Sequence, residues 1–233
     1  MYKYVTDKQF LSAMHSLCAD TVNRLVQRVN NNSVMEVEAH LVGSGAKNLI
    51  LQNAKNPIDL DYNLCVIDTD FRSGEDIRNY IKDQFNAVLR EVGWGTCNDS
   101  TSALSTKDRA FSTGNQTKFH IDLAIVRKRG DRWERLIHKK TGIIASDEWY
   151  WNEARNSNGL EEKVCALKEN KHWNEVRDVY CQKKNMYLCR NDHDHPSFIV
   201  YIETINEVYG NYFPFPPSKV RSLDCGIHRN LYY

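Results

Sequence analysis

The stretch NPIDLDYNLCV (residues 56–66) has the pattern of a buried β-strand but carries two carboxylates, Asp59 and Asp61, separated by one apolar residue. Aspartate is disfavoured in strands, and a buried carboxylate is costly unless it is paired or binds a metal. Strand side chains repeat every two residues, so Asp59, Asp61 and Asn63 share one face. The pattern predicts a strand over residues 58–67 with one polar face.

The segments on either side of this strand also carry groups suited to ion binding. Residues 35–42 predict a preceding strand that ends in Gly43-Ser44-Gly45, followed by a short helix. Glycine lets the backbone approach a phosphate closely, and the Ser44 hydroxyl can donate a hydrogen bond to a phosphate oxygen. Residues 118–126 predict a third strong strand, with Asp122 on one face. If this strand neighbours the first, three carboxylates converge, the usual frame for two metal ions acting at phosphorus.

The rest of the chain divides into a mixed N-terminal part and a helical C-terminal part. Apolar periodicity predicts a first helix over residues 7–30, with Thr6 and Gln9 as its capping box, and a second helix after Ser73. Strand patterns vanish after about residue 145, which predicts domains over residues 1–145 and 146–233. Other predictions are a short strand at 108–113, a hairpin turn at 127–131, helices at 159–173, 174–189 and 195–210, and an irregular tail.

Composition restricts the class of protein. The 233 residues include 31 Lys+Arg and 30 Asp+Glu. The net charge is therefore close to zero, and it gives no indication of a nucleic acid or a membrane as a partner. The 7 cysteines are odd in number and form no C-x-x-C, which favours buried free thiols over disulfides or structural zinc. With no signal peptide and no apolar run near 20 residues, we expect a soluble cytoplasmic protein without a membrane partner.

The order of these motifs resembles the polymerase β-like nucleotidyltransferase superfamily, which has a Gly-Ser motif, a D-x-D and a third acidic residue on a later strand. The matching motifs cover residues 43–126, and the flanks resemble two-lobed members, such as oligoadenylate synthetase-like and bacterial cyclic-oligonucleotide synthase-like enzymes. The resemblance implies an α+β nucleotidyltransferase fold, with a small mixed sheet, flanking helices and a helical C-terminal part. The spacer at residues 48–58 departs from the family, because it is slightly long and lacks a Ser directly before the D-x-D.

The resemblance also implies roles for individual residues. Gly43 and Ser44 would hold the triphosphate of a nucleoside triphosphate (NTP) such as ATP, and Asp59 and Asp61 would bind two Mg²⁺ (or Mn²⁺) ions. Asp122 would complete the metal site and act as, or orient, the base for an attacking hydroxyl. The implied reaction moves a nucleoside monophosphate (NMP) from the NTP to that hydroxyl and releases pyrophosphate. A nucleotide, an RNA end, a small molecule and a protein all remain open as the acceptor.

Several features have a second interpretation. In related two-lobed enzymes a basic residue of the helical part can bind the outer phosphates, so the resemblance implies this role for Lys168, with Lys163 and Lys171; the alternative is a solvated helix face. The segment NDHDHP (residues 191–196) offers metal ligands, but its spacing matches no common zinc pattern and favours a capped linker. Two rival functions are a degenerate nucleotide- or partner-binding module of the same fold, and a D-x-D nucleotide-sugar transferase that uses Mn²⁺.

Overall fold

The computed structural model describes residues 1–153, 159–192 and 196–213. Helices in these ranges are α1 (Lys8–Asn30), α2 (Gly43–Ala46), α3 (Gly74–Glu91), α4 (Leu160–Glu169), α5 (Trp173–Cys189) and α6 (Ser197–Tyr212). Strands are β1 (Tyr2–Tyr4), β2 (Met35–Leu41), β3 (Leu51–Asn53), β4 (Ile58–Thr69), β5 (Asn98–Asp99), β6 (Leu104–Ser105), β7 (Phe119–Arg129), β8 (Arg132–Lys139) and β9 (Glu148–Glu153).

A seven-stranded mixed sheet forms the centre of the fold. Its strands run in the order β2-β4-β7-β6-β5, while β8 pairs with β7, and β9 pairs with β8. Strands β4 and β7 are parallel, and the other pairs are antiparallel. The α+β fold expected from the sequence is confirmed.

The apolar faces of β4 and β7 form the main core together with α1 and α3. Leu60, Leu64, Ile121 and Leu123 are completely buried, as the two-residue alternation predicts. A second apolar cluster joins the three C-terminal helices and reaches Leu49, shortly after the short helix α2. The helical C-terminal part therefore packs against the segment that carries the Gly-Ser turn.

Helix capping agrees with the sequence at one helix and differs at the other. The Ser73 hydroxyl accepts a hydrogen bond from the Asp76 N–H at 3.0 Å and so caps α3. The predicted Thr6 cap of α1 is wrong: the Asp7 carboxylate accepts from the Phe10 N–H at 3.0 Å. Ionised aspartate is a strong N-cap, and its hydrogen bond to Phe10 helps lower the pKa of Asp7.

Some predictions after residue 94 are wrong. Residues 108–113 form only an isolated bridge between Arg109 and Phe119, and the short strands β5 and β6 lie upstream instead. The expected loss of strands after residue 145 is also wrong, because β9 extends the sheet to Glu153. The division into two domains stays a prediction, and the sheet crosses its boundary. The tail beyond residue 213 lies outside the described residues, as do residues 193–195 of the NDHDHP segment.

A buried ion-pair network ties α3 to the loop beside the sheet. The Arg78 side chain is fully buried and lies 2.7 Å from the Asp99 carboxylate. The same guanidinium donates to the Ser100, Ala103 and Leu136 carbonyls. Residues 99–103 are therefore held in place by one arginine from the middle of α3.

The described cysteines form no disulfide with one another: Cys18 and Cys65 are buried, Cys97, Cys165 and Cys181 are half-buried, and Cys189 is exposed. Within the described ranges, every helix is too short or too polar to cross a bilayer.

Candidate active site

The parallel register of β4 and β7 brings the predicted carboxylates together. Asp61 lies directly opposite Asp122, and Asp59 lies opposite His120. The His120 Nε2 atom is 3.3 Å from Asp59 Oδ1 and 3.7 Å from Asp122 Oδ1, while its Nδ1 atom is 3.3 Å from Asp108 Oδ1. The structure thus places His120 between two of the three carboxylates.

The Gly43-Ser44 turn lies against the same carboxylates. Gly43 has a φ of +64°, and a Cβ atom at this position would lie 2.2 Å from Asp61 Oδ2. Glycine is therefore required twice here, once for the left-handed backbone and once for the close approach of Asp61. The Val42 N–H donates to the Asp61 carbonyl at 2.8 Å, which fixes the turn to β4.

A cleft of about 590 Å³ contains these residues and extends to the C-terminal helices. Gly43, Ser44, Asp59, Asp61 and Asp122 line it on the sheet side. The C-terminal helices contribute two polar residues, Lys184 and Ser197, and three aromatic residues, Tyr180, Phe198 and Tyr201. The cleft therefore joins an anionic centre to cationic and aromatic groups, as a phosphorylated ligand with a flat ring would need.

Two lysines line this cleft. Lys47 donates to the Gly43 carbonyl at 3.3 Å and lies 5.2 Å from the centre of the Tyr201 ring. Burial lowers the pKa of Lys47 to about 8; Lys168 adds to the lowering, and Asp61 opposes it. Lys184 donates to the Ser197 hydroxyl at 3.1 Å. The sequence predicted neither lysine as a site residue, because which face of α5 lines the cleft depends on helix packing.

Lys168 is not among the residues that line the cleft. Its Nζ atom lies 4.8 Å from the centre of the Trp173 ring, on an exposed part of α4. It is near enough to lower the pKa of Lys47. A direct phosphate contact by Lys168 stays a prediction, whereas Lys47 and Lys184 already line the cleft.

The carboxylates differ in their electrostatic surroundings. Burial, together with Asp122 and Asp59, raises the pKa of Asp61 to about 6. Burial also raises the pKa of Asp59, although its side chain is 57% exposed at the cleft mouth. Burial acts to raise the pKa of Asp122. The contacts with His120 and Ser105 outweigh this effect, so the pKa of Asp122 is lowered overall. The Asp122 contact in turn raises the pKa of His120 to about 9.

The raised pKa of Asp61 predicts a pH-dependent stability difference. A carboxyl whose pKa is higher in the folded protein binds protons on folding, so its contribution to the free energy of unfolding falls as pH rises from about 4 to about 6. In metal-free buffer, Asp61→Asn should therefore be about 1 to 3 kcal/mol more stable than the wild type at pH 8. The difference should shrink toward pH 4.

Denaturant unfolding between pH 4 and pH 8 in EDTA measures this difference. Asp68→Asn, an exposed aspartate on the same strand, is the matched control and should show no comparable gain. Equal or lower stability of Asp61→Asn at pH 8 would contradict the electrostatic account.

The donor set fits a hard divalent cation. Asp59, Asp61 and Asp122 offer carboxylate oxygens on one sheet face, and Mg²⁺ is commonly held by one or two carboxylates plus substrate phosphates and water. The Asp122 Oδ1 atom is buried and makes no hydrogen bond to the described residues. No set of three or more His, Cys, Asp or Glu side chains in those ranges encloses an ion by itself. A metal would thus take part of its coordination from a bound ligand.

Sequence comparison finds no matching family model and no curated protein with significant similarity. Solved structures do match. The complex of E. coli MS115-1 CdnC with HORMA-deltaN has a TM-score of 0.54 at 15% identity, covering 86% of this chain and 60% of that one. CdnC with ATP has a TM-score of 0.52 at 14% identity, covering 92% and 73%.

A third match is the Vibrio cholerae DncV cyclic AMP-GMP synthase with a linear pppApG intermediate, with a TM-score of 0.51 at 11% identity. It covers 75% of this chain and 45% of the synthase. The chain thus spans less than two thirds of DncV and of CdnC in the HORMA complex. At these identities the likeness shows the fold alone: the chain shares the α+β fold of CdnC and DncV, which is the fold that the resemblance in the sequence implied.

Proposed function

We propose that the chain is a metal-dependent nucleotidyltransferase that moves an NMP from an NTP to a hydroxyl acceptor and releases pyrophosphate. One observation carries the proposal: the β4–β7 register gathers Asp59, Asp61 and Asp122 in one cleft, beside the Gly43-Ser44 turn. The solved structures of CdnC with ATP and of DncV with a linear intermediate share this fold, and they support an NTP as the ligand of this chain.

The residues of the cleft suggest how an NTP would lie in it. Ser44, Lys47 and Lys184 supply a hydroxyl and two ammonium groups for the phosphates. Tyr201 presents an aromatic face that could stack on the base. Because Lys47 contacts both the Gly43 carbonyl and the Tyr201 ring, it connects the phosphate and base sides of the cleft.

At the reacting centre the three aspartates would hold Mg²⁺ or Mn²⁺. The bound ion would neutralise phosphate charge and help align the attacking oxygen. Asp122 orients the acceptor hydroxyl or accepts its proton, because its contact with His120 and its low pKa keep it ionised. The Gly43 backbone keeps the triphosphate close to Asp61, where a side chain at residue 43 would not fit.

The cytoplasm is the proposed location, because free thiols such as Cys18 and Cys65 are typical of proteins in a reducing compartment.

The test is direct. The purified chain is incubated with each NTP labelled at the α-phosphate, with Mg²⁺, with Mn²⁺ or with EDTA, and the products are resolved. We expect a labelled product that requires the metal and that the Asp59→Asn, Asp61→Asn double variant does not form. Its size and nuclease sensitivity identify the acceptor. Absence of both product and metal-dependent NTP binding would refute the proposal.

A further inference from the structure

Asn63 is a buried amide in the candidate site without a visible partner. It lies on β4 two residues beyond Asp61, on the same face, and it lines the same cleft. Its side chain is fully buried, and neither Oδ1 nor Nδ2 makes a hydrogen bond to any described residue. A buried amide left unpaired costs stability, so natural folds retain one where a water or a ligand completes it.

The sheet register defines what surrounds this amide. His40 of β2 lies opposite Asn63 on one side, and Ala124 of β7 lies opposite on the other. Ala103 directly precedes β6, whose antiparallel register with β7 places it beside Ala124, and it also lines the cleft. The small alanine side chains leave space above the sheet, next to an amide with one donor and one acceptor group.

Asn63 lies on the opposite side of the carboxylates from the phosphate-binding groups. Val42 pairs with Asp61 and His40 pairs with Asn63, so the Gly43-Ser44 turn continues along β4 from Asp61 toward Asp59, which places the triphosphate side there. Asn63 lies beyond Asp61 in the other direction, roughly 7 Å farther along β4. In an in-line displacement the attacking oxygen enters opposite to the leaving pyrophosphate. The acceptor must therefore approach from the Asn63 side.

We infer that Asn63 is a specificity-determining residue that binds the acceptor, through a paired donor and acceptor edge of the kind that nucleobases carry. Asparagine recognises such an edge with two hydrogen bonds, one from Nδ2 and one to Oδ1. This inference rests on the proposed function and specifies one end of the site. Asn63 takes no chemical step: it binds the acceptor, and the proposed reaction is assigned to the three carboxylates.

A stability measurement tests the amide independently of catalysis. Asn63→Leu replaces the amide with an apolar group of similar size, so the ligand-free variant should match the wild type or melt about 2–4 °C higher. A melting temperature several degrees lower would show that the amide is already partnered in the free protein, and would overturn the inference. Asn23→Leu on the exposed surface of α1 is the matched control.

The transfer measurement uses one α-labelled NTP as donor and the four unlabelled NTPs, each in turn, as acceptors. For the acceptor that reacts best, we expect Asn63→Leu to raise KM about 10- to 100-fold. Affinity for an α,β-methylene NTP, which cannot release pyrophosphate, should stay within about twofold of wild type, because the triphosphate side is intact. Asn23→Leu should change neither quantity.

The outcomes separate this inference from the proposed function. An unchanged acceptor KM in Asn63→Leu, with normal transfer by the wild type, overturns the role of Asn63 alone. A wild type that binds NTP but transfers NMP to none of the four nucleotides also overturns it, and leaves NTP binding standing. A wild type that binds no NTP refutes the proposed function, and this inference with it.

Discussion

Replacing Asp122 with asparagine is expected to lower the rate of nucleotidyl transfer by about 10²- to 10³-fold, while NTP affinity falls much less. Asp122 lies opposite Asp61 at the centre of the site, and its contact with His120 keeps it ionised. Asparagine has the same shape but no charge, so the fold should be retained while a preorganised electrostatic interaction is lost. Losing one such interaction typically costs 10²–10³-fold in rate.

Steady-state kinetics with a labelled NTP, combined with an equilibrium binding assay, measures both quantities. Asp68→Asn, on the exposed end of β4, is the control and should behave as wild type. A wild-type rate for Asp122→Asn would show that the third carboxylate has no part in the reaction. A large loss of NTP affinity with little change in rate would place Asp122 in substrate binding instead.

Replacing Arg78 with methionine is expected to destabilise the fold by about 3–5 kcal/mol. Arg78 is fully buried, pairs with Asp99 at 2.7 Å and donates to three backbone carbonyls. Methionine fills part of the volume, but it leaves the Asp99 carboxylate and the carbonyls without their main donor. Removing one partner of a buried ion pair usually costs this much, because the other charge stays behind.

Denaturant unfolding of the variant at neutral pH gives the free-energy difference. Arg28→Met is the matched control, since Arg28 also pairs with a carboxylate, Glu91 at 2.9 Å, but at 42% side-chain exposure. Such a surface pair contributes at most about 1 kcal/mol. If both variants lost the same small amount, the Arg78 network would contribute no more than a surface ion pair.

The sequence predicts the centre of this fold well. The two strands that carry the carboxylates are long, strongly apolar and alternate clearly between Leu60 or Ile121 and their polar neighbours. Such patterns are specified locally, so the predicted convergence of Asp59, Asp61 and Asp122 on one face is found in the structure. Their chemical roles stay predictions, since geometry alone does not establish a reaction.

The periphery depends on contacts that a single sequence does not display. Strand β9 was missed because Trp149 and Trp151 are only half-buried and alternate with exposed residues, without the contrast of a buried strand. Lys168 was predicted and Lys184 was missed, because both lie on predicted helices and only the three-dimensional placement of α5 shows that Lys184 lines the cleft. Asn63 was placed on the correct face, but its burial without a partner becomes visible only in three dimensions.

Asp59 and Asp61 also disfavour misfolded pairings of β4. Because strand faces alternate, a slip of one residue in β4 would turn Asp59 and Asp61 toward the apolar layer and expose Leu60. Two carboxylates in that layer would cost far more than an ordinary register error. The partner strand β7 lies about sixty residues away in the chain, so the pairing must be found among many alternatives. The same side chains that suit the site for ions therefore penalise incorrect pairings, and mutations that neutralise them should yield more misaligned chains during folding.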